Sequence, residues 1–364
     1  MPETRSAVTI KDIARYAKVS PTTVSRVLNN SGYVGVDTRR RVEAAIAELG
    51  YRPDARARGL RGKPSKLVAL IIPDILNVFY TGVAQAIEHY LAQRGYTMLL
   101  GITGDSADRY VEYLQLLWER RVDGIIYVPP AIGDSSTPTR RLVAQGMPIV
   151  EVNRQREAGL LDCVLADNFR GAYQATEHLI DLGHERIALI VGSAETTTGR
   201  ERIQGFKWAM RDAGLEIDPQ LLKVGAYSKQ YGLQATKELL VLSPRPTAIF
   251  AASNRLLVGT MMGLTDHDVR VPNDMSIIAF DDSEWLTFWQ PPVSTVDVAA
   301  EEMGMLAVEL LMRWIREGHA PDRPRTYSLS AVLVERKSCK RVGPRPEREP
   351  RPLDVGVSVA LDAG

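Results

Sequence analysis

Residues 9–29 read TIKDIARYAKVSPTTVSRVLN. Ile13, Ala14, Ala17, Val19, Val24 and Val27 recur at the spacing of two short amphipathic helices that share a small core. Ser20 and Pro21 open the second helix: a serine can accept a backbone N–H at the cap, and proline at the first helical position gives up no hydrogen bond. Pro21, Thr22 and Arg26 then stand at the leading end of a helix sized for the DNA major groove, with Arg15, Lys18 and the threonines on the same outer side. A hairpin of this size also serves as plain scaffold in many proteins, so the rest of the chain decides its meaning.

Charge is distributed unevenly. Residues 1–66 hold 14 Lys and Arg against 6 Asp and Glu, net +8, whereas the whole chain of 364 residues is only +1. A basic module at one end is the footprint of phosphate binding, and an evenly mixed surface is what a metabolic enzyme presents. With 45% hydrophobic and 24% charged residues, the chain can fill two or three globular cores.

Cys163 and Cys339 stand apart, outside any metal-ligand spacing, so neither a disulfide framework nor a metal or other cofactor is expected. The opening MPETRSAVTIKD lacks the apolar core of a signal peptide, and no later run approaches a bilayer span; a cytoplasmic protein without a membrane partner is expected.

The spacing predicts a third helix over about 37–49, stopped by Gly50, and then a basic linker rich in Pro and Gly. From Lys66 the pattern becomes short apolar runs alternating with amphipathic helices: LVALII, a helix over 82–94, YTMLLGI, a helix over 108–120, GIIYVP, a helix over 138–145, PIVEV. The rhythm restarts with a helix over 169–182, RIALIVG, a helix over 199–213, a strand at 222–224, a helix over 231–242, AIFAA, a helix over 255–265 and MSIIAFDD. A helix over 299–317 and one last strand, TYSLSAVLVER, follow, and the proline-rich tail from Lys340 is expected to be unstructured. The fold class is therefore α/β, with two doubly wound parallel sheets behind a helical head and a ligand cleft between them.

In this order, TIKDIARYAKVSPTTVSRVLN, TRRRVEAAIAELGYRPDARARGL, RVDGIIYVP, DNFRGAYQATEHLIDLGHERIALI, RIQGF and VPNDMSIIAFDD resemble the lactose-repressor (LacI) family of bacterial transcription regulators over about residues 8–339. The resemblance implies a helix-turn-helix head over 8–53, a hinge helix and linker over 54–65, and an effector-binding core of periplasmic-binding-protein type over 66–339. Its N-subdomain would take about 66–165 and 299–326, its C-subdomain about 166–296 and 327–339, leaving a tail over 340–364. It further implies a homodimer on near-palindromic double-stranded operator DNA, and a small-molecule effector that shifts operator affinity as inducer or corepressor.

By position, the resemblance makes Pro21, Thr22 and Arg26 readers of base edges, with Thr9, Thr23, Ser25 and Asn29 beside them in the DNA-facing set. An arginine can form a fork pair with guanine, and a phosphate contact is its alternative role. Ala57, Leu60 and Arg61 match the hinge, where the leucine wedges into the minor groove. In the core it points to Asp74, Asn77, Phe79 and Tyr80 after the first strand, and to Asn153 and Arg154, where many members have aspartate at the first of the two. Arg202 and Asp281 match an arginine and an acid that grip polar effector groups, Tyr227 and Trp285 are stacking platforms, and Asn254 is an amide hook. Arg255 replaces the aspartate usual there, and Thr196 stands where a purine-binding member has arginine; a sugar or sugar derivative is the expected effector.

Two rivals share the same cleft. A solute-binding protein would need an export signal and no basic head. A metabolic enzyme would need chemistry that is not visible: the sequence has no Walker loop, no G-x-S-x-G elbow and no HExxH helix, and His89, His178, His184, His267 and His319 are scattered.

Overall fold

A computed structural model of the chain describes residues 8–28, 31–50 and 64–344. Residues 8–50 fold as three helices: α1 (Ile10–Tyr16), α2 (Pro21–Leu28) and α3 (Val36–Leu49). Helix α1 starts at a capping box, in which Thr9 and Asp12 satisfy one another's backbone N–H groups, and α3 ends at Gly50, whose φ of 62° is the left-handed stop. Ile13, Ala14, Ala17, Val24, Val27, Val42 and Ala45 form the closed centre, as the sequence spacing predicts. The hinge residues Ala57, Leu60 and Arg61, together with Asn29 and the tail from 345, lie outside the described residues.

From Lys66 the chain is a separate compact unit built on two six-stranded sheets. The first is ordered β11-β5-β4-β3-β1-β2, from β1 (Leu67–Ile72), β2 (Thr97–Ile102), β3 (Gly124–Tyr127), β4 (Ile149–Val152), β5 (Cys163–Ala166) and β11 (Thr326–Leu329). All its pairings are parallel. The second is ordered β12-β10-β9-β8-β6-β7, from β6 (Ile187–Val191), β7 (Leu222–Val224), β8 (Ala248–Ala251), β9 (Ser276–Phe280), β10 (Ser294–Val298) and β12 (Ala331–Val334). Only β12 runs antiparallel, against β10. The helices are α4 (Val78–Ala92), α5 (Ala107–Glu119), α6 (Ser136–Ala144), α7 (Asn168–Asp181), α8 (Thr197–Asp212), α9 (Lys229–Leu240), α10 (Asn254–Thr265), the short α11 (Trp285–Phe288) and α12 (Ala300–Glu317). Strands such as β1, β3, β6 and β9 are buried almost throughout, because helices cover both faces, and this is why they read as unbroken apolar runs.

Three differences from the sequence reading concern two strand regions and the tail. Neither β5 nor β10 was expected; four residues of CVLA and the polar-looking STVDV give little signal, although both are buried in mid-sheet. The single last strand is in fact two. Residues 326–329 pair with β5 in the first sheet, and 331–334 pair with β10 in the second, so the chain changes sheets at Ser330 and not after residue 326. The third difference is the start of the tail: Lys340 N–H donates to Ser276 Oγ and Val342 N–H to the Leu182 carbonyl, so 340–343 belong to the second subdomain's packing. Gly183 makes this possible, since a Cβ there would stand 2.5 Å from the Gly343 nitrogen.

Candidate functional site

The head presents its polar residues in two ways. Ser20 Oγ accepts the Thr23 N–H at 3.1 Å and pairs with Thr23 Oγ1 at 2.9 Å, so the cap read from the sequence is made and the Thr23 hydroxyl takes part in it. Thr9 is committed likewise, its hydroxyl donating to Asp12 at 2.6 Å. Pro21, Thr22 and Arg26 are exposed and Ser25 is half-buried. The stem of Arg26 lies beside Gly32, whose φ is 72°.

In the core, loops at the carboxyl ends of both sheets meet round one small cavity of about 30 Å³. The first subdomain contributes Pro73, Asp74 and Asn77 after β1, Phe79 and Tyr80 from the start of α4, Asp105 after β2, and Asn153 and Arg154 after β4. The second contributes Thr198 and Arg202 from α8, Tyr227 after β7, Ser253 and Arg255 at the start of α10, and Asp281 after β9. Asn153 and Asp281 adopt left-handed φ values of 62° and 72°, an uncommon geometry for side-chain-bearing residues and one that collects at working sites.

Buried charges here come in pairs. Arg154 donates to both oxygens of Asp105 and to the Pro129 carbonyl. Although burial works against its charge, the Asp105 carboxylate that it pairs with keeps the guanidinium protonated above its ordinary range. Arg202 donates to Asn168 Oδ1 at 2.9 Å and to the Ala252 carbonyl at 2.6 Å, lies over the Phe280 ring at 3.6 Å, and faces Asp281 at 3.8 Å. Burial pushes the Asp281 carboxyl up, while Arg202 and the Asn254 N–H hold it down in part. Tyr80 accepts from Asn153 Nδ2 at 3.0 Å, and burial drives its phenol up to about 12, so it stays a neutral hydroxyl.

Three contacts tie the subdomains across the cleft. Arg255 Nε lies 3.0 Å from Asp74 Oδ2, the Arg154 guanidinium stands 5.1 Å over the Tyr227 ring, and Gln155 N–H donates to Thr197 Oγ1 at 3.2 Å.

Nine of the eleven expected cleft residues thus line one cavity: Asp74, Asn77, Phe79, Tyr80, Asn153, Arg154, Arg202, Tyr227 and Asp281. Asn254 and Trp285 do not. Asn254 is buried beside the cavity, its N–H given to Asp281, and Trp285 packs edge-on against Trp289 over the second subdomain's core. Asp105, Thr198 and Arg255 were not assigned to the cleft from sequence. Asp105 is recognisable only through a partner 49 positions away, whereas Arg255, next to Asn254 at a strand-to-helix turn, stood in view. Thr196 caps α8 and lies outside the lining. His184, one of the scattered histidines, is fully buried between Thr247 and the Lys340 carbonyl, and burial lowers its pKa to about 4. Among the described residues no group of His, Cys, Asp and Glu could hold a metal ion, and no helix is long and apolar enough to cross a membrane.

Residues 9–54 match the model of bacterial regulatory proteins of the lacI family, and residues 176–339 match that of the periplasmic binding protein-like domain. The chain is 32% identical over 334 residues to the transcriptional repressor PurR of Photobacterium profundum, covering 91% of this chain and 98% of that one. It is 33% identical over 330 residues to the ribose operon repressor of Haemophilus influenzae, with the same coverage. Among solved structures, the complex of the transcriptional regulator CelR with cellobiose superposes with a TM-score of 0.67 at 31% identity, covering 91% of this chain and 99% of that one. The lac repressor dimer bound to operator superposes with a TM-score of 0.78 at 26% identity, covering 92% and 100%. The relatives are named as regulators of transcription and none of these as an enzyme, so with a helix-turn-helix head, two largely parallel sheets and full-length relatives of this kind, the chain belongs to the LacI family of DNA-binding transcription regulators.

Proposed function

We propose that this chain is a repressor whose grip on a near-palindromic operator is set by a carbohydrate effector held between the two subdomains of its core. The observation that carries the reading is the cavity lined from both sheets and bridged by Asp74–Arg255, Arg154–Tyr227 and Gln155–Thr197. A ligand at that place makes contacts that depend on the angle between the subdomains, and differential contact of this kind is what shifts a two-state equilibrium. Hydroxyls and carboxylates at the strand ends suit a polyol, and the ribose repressor and the cellobiose complex among the relatives support a sugar class. In the head, Pro21, Thr22 and Arg26 read bases, and the exposed Arg26 is the fork for guanine.

Assembly as a homodimer is part of the proposal. Strand β2 is the free edge of the first sheet, and Leu100 and Leu116 stand 39% and 44% exposed along an apolar groove beside it. An uncovered apolar edge of this kind is suited to a second copy.

The test is selection of DNA duplexes by the purified full chain, followed by titration with sugars. A palindromic site that is held at moderate salt, lost when residues 1–65 are removed, and bound with altered affinity after addition of at least one sugar is the expected result. Equal binding by the chain lacking its head would overturn the reading. Coupling is reciprocal, so the operator must change sugar affinity by the same factor.

A further inference from the structure

Three arginines and three aspartates line the cleft, yet arginine donors are left over once the carboxylates are engaged. Asp105 spends both oxygens on Arg154, and Asp281 is taken by the Asn254 N–H and by Arg202. Against this, Nε of Arg154 and Nε of Arg255 are closed off from solvent with no hydrogen-bond acceptor, and both residues line the cavity. Arg154 is only 3% exposed. The contact of Arg255 with Asp74 is close enough for an ion pair but is not aligned for a hydrogen bond, and the Asp74 side chain is the more exposed of the two, at 35% against 19%. Its other oxygen already accepts from the Leu76 N–H. Asp74 is therefore a poorly seated counter-ion at the cavity wall.

Helix ends add to the imbalance. Helices α4, α8 and α10 all begin at the cavity, and none has an acidic residue in its first turn. Their amino-terminal partial charges are thus not offset by their own sequences. An orphaned, buried guanidinium donor and three such helix ends favour one kind of ligand group, an anion with acceptors in a plane.

We infer that the effector is a sugar acid, whose carboxylate takes Arg255 as its fork partner in place of Asp74 and accepts a further hydrogen bond from Arg154. Arginine presents donors in the planar geometry that matches a carboxylate, so Arg255 is the residue that selects acid over neutral sugar. The inference rests on the carbohydrate reading above and narrows it.

Calorimetry on the full chain decides it, with D-glucuronate, D-galacturonate and D-gluconate set against D-glucose, D-galactose and D-ribose. At least one acid should bind about 100-fold more tightly than its neutral parent, the scale of a buried charge pair left without one partner. Arg255→Gln should cut that preference of acid over neutral parent to within about threefold, read as the ratio of the two affinities measured on the same variant, and Arg255→Lys should restore part of it. Asp74→Asn, which removes the competing carboxylate and leaves the arginine, should tighten binding of the acid, and it serves as the second readout if Arg255→Gln does not fold. Neutral sugars binding as tightly as acids, or a preference unchanged in Arg255→Gln, would overturn the sugar-acid inference and leave the carbohydrate reading standing. If none of the six compounds bound, or only a compound such as hypoxanthine did, both would fall.

Discussion

The head and the cleft solve opposite problems with the same amino acids. In the head, the core is seven small or branched apolar residues and the proposed working groups, Pro21, Thr22 and Arg26, face water. In the cleft, the proposed working groups are buried: Arg154, Arg202 and Asp281 are each under 7% exposed, and each is held by a partner on another segment. An exposed arginine can be replaced at little cost to folding, because its charge is solvated in the free protein. A buried one is part of the fold, and its removal leaves a carboxylate without its cation. Function and stability are therefore separable in the head and fused in the cleft.

Two substitutions should split the regions most sharply. Ile13→Ala empties the centre of the head, where Ile13 is fully buried, at a cost of about 2–5 kcal/mol, more than three helices with seven core residues can spare. Operator binding should be abolished in a gel-shift assay while calorimetric effector binding stays at wild-type level. Arg202→Ala removes the bonds to Asn168 and Ala252 and strands Asp281, a loss of about 3–5 kcal/mol from the core. The core melting transition should fall steeply and effector binding vanish, with the head's own transition unmoved. If Arg202→Ala left core stability intact, the fusion of function and fold in the cleft would be wrong.

Dependence on pH sharpens the contrast by a smaller amount. Glu151, 1% exposed on β4, accepts from the Tyr127 hydroxyl at 2.7 Å and the Arg156 N–H at 3.3 Å, and burial raises its pKa to about 7 against an ordinary 4.5. A raised carboxyl pKa means that the folded core binds the proton more tightly than the unfolded chain. Its contribution is therefore fully present below 4.5 and is lost as pH climbs to 7, about 3 kcal/mol in all. His184 runs the other way: lowered to about 4, it destabilises the core as pH falls below 6.5. The stability of Glu151→Gln relative to wild type should accordingly rise from pH 5 to pH 8 by about 2–3 kcal/mol, measured by denaturant melts of the core. In the head, Asp12 is part-exposed and its carboxyl is lowered by the Thr9 hydroxyl and backbone N–H, out of this range, so the head's transition should stay flat.

How far each region could be read from the sequence follows from the same difference. The head is local: its caps, its periodic apolar residues and the Gly50 stop lie within one or two turns of what they govern, and the sequence reading finds the Ser20 cap, the apolar spacing and the stop, though not the Thr9–Asp12 capping box. Helices and central strands of the core were legible from their periodicity and unbroken apolar runs. The switch of sheets at Ser330 was not, because apolar residues continue on both sides and only the pairing partners change. Cleft residues depended on the family resemblance. Nothing near Asp105 in sequence marks it as the partner of Arg154, and Trp285, expected as a stacking platform, packs against Trp289.

The smallest expected effect tests whether separability in the head extends to its turn. Lys18, between α1 and α2, has a φ of 52°, a conformation that costs any residue with a Cβ and is free for glycine. Its N–H donates to the Arg15 carbonyl at 3.3 Å and the next N–H, of Val19, to Ala14 at 3.0 Å; both bonds are made by the backbone and survive any side chain. Lys18→Gly should therefore raise head stability by up to about 1 kcal/mol, less the entropy that glycine returns to the unfolded chain. The same change deletes an exposed cation. If Lys18 meets a phosphate, the dependence of log affinity on log salt should become shallower by about one, with base preference unchanged. A more stable head with a shallower salt slope would show that even within α1 and α2 the backbone sets the fold while the exposed side chain sets the grip; a head destabilised by the glycine would mean that the lysine stem packs against its neighbours and the two roles are joined there as they are in the cleft.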